Sequence, residues 1–212
     1  MKISTNIFAA AVTASVLSLG ASQAHADFSG LYLGLQVGYG QTEGEVEGSI
    51  GGTTFSGNDE ERGINYGALV GYGIQFNSIY VGAEIDASWS DAEYTETSAG
   101  ITGTIEQKHT IGAAARVGYV INNSTMIYLR GGLVRTKFDA SLTDGTSTVS
   151  ESDSFNGFRF GGGVDFMFNA NLGMRLEYTH TSYGDKTYTS GADSVGVEFD
   201  EDILRLAVTY KF

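Results

Sequence analysis

The stretch Asp202-Ile203-Leu204-Arg205-Leu206-Ala207-Val208-Thr209-Tyr210-Lys211-Phe212 decides how the rest of the chain is read. Taking every second residue, Leu204, Leu206, Val208, Tyr210 and Phe212 fall on one face. Ile203, Arg205, Ala207, Thr209 and Lys211 fall on the other. This is the period-2 pattern of a β-strand with one apolar and one mostly polar face. In a soluble sandwich the apolar face would pack inward.

The same pattern recurs upstream. Leu31, Leu33, Leu35, Val37 and Tyr39 alternate with Tyr32, Gly34, Gln36 and Gly38. Ile64 to Phe76 and Ile79 to Trp89 follow, joined by a tight turn at Asn77-Ser78. The fourth strand is clear from Ile111 to Tyr119. Higher up it is ambiguous, with Gln107 and His109 on the apolar side. After Asn122-Asn123, Ile127, Leu129 and Leu133 define one face of a fifth strand. Arg135 and Lys137 then share that face, where their long stems can snorkel to a membrane surface. Phe158 to Phe168, Leu172 to Tyr178 and the terminal strand complete the set, with a turn at Asn169-Ala170-Asn171. Between these strands lie polar runs at 41–62, 91–103, 139–154 and 184–201.

Eight strands with connections that alternate long and short place three short turns at one end and four long loops at the other. A soluble sandwich has no reason to sort its loops so, whereas membrane barrels do. The apolar faces therefore look outward to lipid and the polar faces line a closed interior. The expected fold is all-β: an eight-stranded antiparallel up-and-down transmembrane β-barrel with short periplasmic turns and four long extracellular loops. Aromatic residues gather at both strand ends. Tyr72, Phe76, Tyr119, Phe166, Phe168, Tyr210 and Phe212 lie toward the short turns; Tyr39, Tyr66, Trp89 and Tyr178 lie toward the long loops. Plain hydrophobic packing explains the aromatics, but two interfacial girdles explain their placement. A soluble lipocalin-like barrel is the fold-level rival; it would have to bury the faces assigned here to lipid.

Composition agrees. The 212 residues include 30 glycines and neither proline nor cysteine. Lack of proline suits strands bonded on both sides. Lack of cysteine excludes a disulfide scaffold, a lipidated cysteine, thiolate metal sites and thiol catalysis. A net charge of −13 argues against nucleic acid as a partner. No cofactor or metal site is expected; the loop acids match no EF-hand spacing and read as a solvated face.

Residues 1–26 read as a secretory signal peptide: Lys2 opens it, Ile7 to Leu19 is a short apolar stretch, and Ala24-His25-Ala26 is a small-x-small cleavage site. The alternative is an uncleaved N-terminal helix. Cleavage between Ala26 and Asp27 leaves residues 27–212 as the barrel domain, one unit more negative than the full chain.

The charges sort by position. Twenty of the 25 acids fall in or beside the four polar runs. Glu84, Asp86, Asp165 and Glu177 instead share the inward faces with Arg116, Arg130, Arg159, Arg175 and Arg205. An unpaired charge in a narrow lumen would cost several kcal/mol, so these nine are expected to pair as a belt. The belt has two readings, an ion path or gate, or a polar core that fixes strand register. An eight-stranded interior is only wide enough for side chains to fill, which favours the second.

Taken together, Gly30-Leu31-Tyr32-Leu33-Gly34, Tyr66-Gly67-Ala68-Leu69-Val70-Gly71-Tyr72, Ile127-Tyr128-Leu129-Arg130-Gly131-Gly132, Arg175-Leu176-Glu177-Tyr178 and Tyr210-Lys211-Phe212 resemble the small outer-membrane β-barrel superfamily. The chain is similar to the transmembrane domain of the OmpA family and to the opacity and Omp25/Omp31-type porin-family proteins. The resemblance implies an outer-membrane location and makes Tyr210 and Phe212 a C-terminal assembly signal. It implies a role in envelope integrity or adhesion, without catalysis, or at most a narrow small-solute pore. The peptidoglycan-binding role of larger members is not expected. Implied partners are outer-membrane lipid and lipopolysaccharide, the barrel-assembly machinery and periplasmic chaperones, and a host or surface ligand at the loops. A catalytic alternative comes from the lipid A deacylases, which use a His-x-Ser pair on the outer face plus an acid. His180-Thr181-Ser182 resembles that pair, with Glu198, Asp200 or Asp202 nearby.

N-terminal sequencing of protein recovered from the envelope should begin at Asp27. A chain that still begins at Met1 would contradict the cleavage.

Overall fold

A computed structural model describes residues 27–50, 53–90, 93–98, 101–143, 148–190 and 193–212. Residues 1–26, read above as a signal peptide, lie outside these. The described residues form β1 (Gly30–Ile50), β2 (Thr53–Phe76), β3 (Ile79–Ser90), β4 (Glu93–Ser98), β5 (Ile101–Asn122), β6 (Thr125–Thr143), β7 (Thr148–Met167), β8 (Leu172–Ser190) and β9 (Asp193–Lys211). β3 and β4 both run antiparallel to β5 and are two segments of one barrel strand, so the ring has eight strands. It closes where β1 pairs with β9, in a register that sets Leu33 opposite Tyr210 and Tyr39 opposite Leu204.

The alternation holds through the wall. Leu204, Leu206, Val208, Tyr210 and Phe212 are exposed, while Ile203, Arg205 and Ala207 are buried. On β6, Ile127, Leu129, Leu133 and Arg135 point outward, and Tyr128, Arg130, Val134 and Thr136 are buried. The ambiguity in the fourth barrel strand has a cause: the β5–β6 ladder shifts between Gln107 and His109, and this bulge resets the alternation above it. Asn77 takes a positive φ of 53° in the first short turn, a conformation asparagine tolerates better than most residues.

Inward glycines make room for large neighbours. A Cβ on Gly71 would come within 2.2 Å of the Tyr32 hydroxyl, and one on Gly73 within 2.2 Å of the Tyr80 hydroxyl. These two rings lie across the lower lumen because the strand facing them carries no side chain there.

Two findings differ from the sequence reading. The polar runs expected as loops are largely β-ribbon. β1 and β2 stay paired from Gly30–Gly73 out to Ile50–Thr53, and β8 and β9 out to Ser190–Asp193. Ladder pairing needs only backbone groups, and no proline removes an N–H from it. Polarity alone could not distinguish a solvated ribbon from a loop. The second finding is a plug. Phe28 is buried at the turn end among Tyr80, Met126, Tyr128 and Met167. Its N–H donates to Gln75 Oε1 at 2.9 Å, and the Gln75 N–H donates to Ser29 Oγ at 2.9 Å. The Lys211 ammonium donates to the Asp27 carbonyl.

Leu35 sits in the middle of the outward apolar run Leu31 to Tyr39 of β1 and is 73% exposed. Leu35→Arg should cost about 2–4 kcal/mol in reversible unfolding from lipid vesicles, the usual penalty for arginine on a barrel's lipid face near the midplane. An unchanged unfolding midpoint would mean that this face does not meet lipid.

Candidate functional site

The lumen carries the densest chemistry. The pleat that sends apolar side chains outward sends Glu84 and Asp86 from β3, Arg116 from β5, Arg130 from β6, Arg159 and Asp165 from β7, Arg175 and Glu177 from β8, and Arg205 from β9 into one buried cluster. All nine are 7% exposed or less.

They form two tiers. In the lower tier, Arg175 donates to Glu84 Oε2 at 2.6 Å and to Asp165 Oδ1 at 2.8 Å, and Arg116 donates to Asp165 Oδ2 at 2.7 Å. The Tyr32 hydroxyl donates to Glu84 at 3.0 Å and accepts from Arg116 at 3.1 Å. The Arg116 guanidinium also lies 3.7 Å from the centroid of the Tyr128 ring, a cation–π contact that adds support where water is excluded. Arg130 links the tiers, donating to Glu177 Oε1 at 2.7 Å and Asp86 Oδ1 at 2.8 Å, with Glu84 Oε1 at 3.4 Å. In the upper tier, Arg159 donates to Asp86 at 3.2 Å, to Glu201 at 3.4 Å and to the Thr181 hydroxyl at 2.9 Å. Arg205 is the least satisfied. Its Nη1 donates to Thr179 Oγ1 at 2.5 Å and stands 3.9 Å from Glu177, while its Nε and Nη2 have no partner among the described residues.

Sequence reasoning missed several members. Glu201 was grouped with the last polar run, yet it is buried and bonded to Arg159 and, at 3.4 Å, to the Tyr183 hydroxyl. Its signal was present: it shares the inward parity of Ile203, Arg205 and Ala207. Glu201 brings the lumen to five carboxylates facing five arginines. The hydroxyls of Tyr32, Tyr128 and Tyr183 also bond the charges, Tyr128 to Glu177 at 2.6 Å.

The His180–Ser182 pair lies elsewhere, on the outer face of β8. His180 is half-buried, packs on Phe160 with ring centroids 5.1 Å apart, and its Nδ1 lies 2.9 Å from Asp202 Oδ1. The Tyr178 hydroxyl donates to the same oxygen at 2.6 Å. Ser182 is exposed and stands opposite Asp200 in the ladder. Its hydroxyl makes no hydrogen bond to the imidazole among the described residues, so a base and nucleophile are not assembled. Most loop carboxylates, Glu198 included, lie outside the residues whose side chains are described, and no group of three acids or histidines among those described could hold a metal ion.

The family described as outer membrane protein beta-barrel domain matches residues 9–212. The chain belongs to this family. It is 29% identical over 191 residues to the 25 kDa outer-membrane immunogenic protein of Brucella abortus, across 87% of this chain and 79% of that one. It is 28% identical to outer membrane protein A of Shigella flexneri over 183 residues, 85% of this chain but 48% of that protein, so it spans about half the length of that relative. Among solved structures, OprG of Pseudomonas aeruginosa aligns with a TM-score of 0.60 at 15% identity, over 90% of this chain and 98% of that one; this likeness is one of fold. Family and wall place the protein in the outer membrane, with its apolar faces in lipid.

Removing one partner from the belt leaves the others buried and uncompensated. Arg175→Leu should therefore cost about 3–5 kcal/mol in vesicle unfolding. Replacing Arg130 and Glu177 together by methionine should cost less than the sum of the two single changes, because the belt then keeps four arginines against four carboxylates. Additive losses would show that the belt does not act as a unit.

Proposed function

We propose that this protein is a non-catalytic barrel whose wall secures it in the outer membrane and whose four ribbons make the contacts. The observation that carries this reading is the filled lumen. Five arginines and five carboxylates occupy its middle, bonded to one another and to tyrosine and threonine hydroxyls. Below them the Phe28 cluster occupies the turn-end mouth. A solute crossing here would have to break several charge-assisted bonds at once, and each costs far more to strand than to keep.

The ribbons carry most of the chain's acidic residues, and the Brucella relative is described as immunogenic. We carry over to this chain the reading that its ribbons are what other surfaces meet. The narrow-pore alternative conflicts with the packed belt. The deacylase alternative conflicts with a serine that is not bonded to its histidine. Removal of residues 1–26, recognition of Tyr210 and Phe212 by the assembly machinery, and escort by periplasmic chaperones belong to the same proposal. Tyr210 and Phe212 are exposed at the end of β9 and packed edge-to-face at 5.1 Å, where an assembly factor could reach them.

Purified protein in planar bilayers should show no resolvable channel events at either polarity. Truncating the ribbons to short turns should abolish binding of whole cells to a host-cell layer while leaving the heat-modifiable gel band intact. Steady conductance, or binding that survives truncation, would overturn the respective half of the proposal.

A further inference from the structure

Between the Phe28 cluster and the lower tier of the belt a small space remains. It is a cavity of about 30 Å³, room for about two waters or the few atoms of a small ligand. Its surface is mostly apolar. Phe28, Tyr80, Met126 and Met167 supply rings and thioethers, and methionine adapts its shape to what it meets. Arg116, Arg175 and Asp165 border the space on the belt side. Thr209 and Lys211, both half-buried, stand toward the turn end. That rim, not the belt, is the side nearer bulk water.

The polar groups around this space divide into spent and free. Both oxygens of Asp165 already accept from arginine, Oδ1 from Arg175 at 2.8 Å and Oδ2 from Arg116 at 2.7 Å. What remains are donors. Arg116 is 1% exposed, and its Nε has no partner among the described residues. Lys211 gives one N–H to the Asp27 carbonyl, and an ammonium has three. Thr209 adds a hydroxyl. A ligand suited to these groups accepts hydrogen bonds and carries negative charge, as a carboxylate does with two oxygens and no donor. A ligand suited to the rest of the wall brings a short apolar tail, whose transfer from water into contact with Phe28, Met126 and Met167 is favourable. A halide would leave that wall without a partner, and a dianion would be repelled by Asp165.

We infer that this cavity binds a short-chain monocarboxylate of roughly two to four carbons, taken up at the turn end. Its carboxylate accepts from Arg116 Nε, the Lys211 ammonium and the Thr209 hydroxyl. Its tail lies against Met126 and Met167, and Phe28 limits the length of that tail. A ligand of so few atoms binds in about the millimolar range. The site lies across the belt from the ribbons, so it goes beyond their surface role and needs no passage through the lumen.

Methionine reports on the site directly, since Met126 and Met167 line the cavity while Met174 is exposed on the outer face of β8. The full barrel, isotope-labelled at its methionine methyl groups, is titrated in nonionic detergent with sodium acetate, butyrate and hexanoate and with sodium chloride, and followed by NMR. Butyrate should shift the Met126 and Met167 resonances saturably, bind at least threefold more tightly than acetate, and leave Met174 in place. Hexanoate should bind wild type at least threefold more weakly than butyrate, because Phe28 closes the space. Phe28→Ala should reverse that order. Lys211→Gln should weaken butyrate at least threefold. Arg62→Gln, at an outer-end arginine paired with Glu60 at 2.9 Å, should leave it unchanged. Heat-modifiable migration checks the folding of each variant. The chain-length order in wild type needs no variant and remains the test if any of them fails to fold. No saturable shift of Met126 and Met167, an equal shift of Met174, a flat response to chain length, or equal binding by wild type and folded Lys211→Gln overturns the site. Chloride shifting both resonances as butyrate does would make it a general anion site and overturn the carboxylate assignment. Failure of the ribbon-truncation experiment would leave this result untouched.

Discussion

A backbone amide in hydrocarbon has no water to bond, and every other feature of this molecule follows from satisfying it. Strands meet that demand only in a closed ring, since an open sheet would leave two edges unpaired in lipid. The β1–β9 seam is thus the condition for the other ladders to exist in a membrane at all. Closing eight strands fixes a narrow interior, and the pleat decides which residues enter it. Tyrosines over glycines and arginines against carboxylates are the consequences of filling that space with side chains that the outer face would not accept.

The belt shows how charge survives burial. Each carboxylate in it meets an arginine, and the tyrosine and threonine hydroxyls take up much of the remaining hydrogen-bonding capacity. Such a core contributes little net stability compared with an apolar one of the same shape, because desolvation opposes attraction. What it provides is register. A one-residue slip of any strand would send its charges into lipid and its leucines into the lumen. The arrangement penalises misregistered barrels far more than it favours the correct one.

Much of this was legible in the sequence because the membrane barrel is a period-2 object with few exceptions. The terminal strand from Ile203 to Phe212 reads cleanly, and Glu84, Arg116 and Arg175 are conspicuous as charges amid apolar neighbours. What was not legible lies where side-chain polarity stops tracking structure. The ribbons are polar on both faces, so alternation gives no phase and only backbone pairing defines them. Glu201 was hidden because its neighbours Asp200 and Asp202 are acids on the opposite face, which made three consecutive acids look like solvated loop. The bulge at Gln107 and His109 broke the count. Phe28 belongs to no strand, and its burial depends on Tyr80, Met126 and Met167, which no local pattern connects to it.

The Phe28 site has a temporal consequence. Its walls come from β3, β6 and β7, and its strap runs from Gln75 at the end of β2 to Lys211 at the end of β9. None of these groups is near another until the strands that carry them have been laid side by side. A residue among the first of the described chain thus has nowhere to go until nearly everything after it is in place. In that sense the barrel is closed from below by its beginning, as a bottle is corked only after it has been blown.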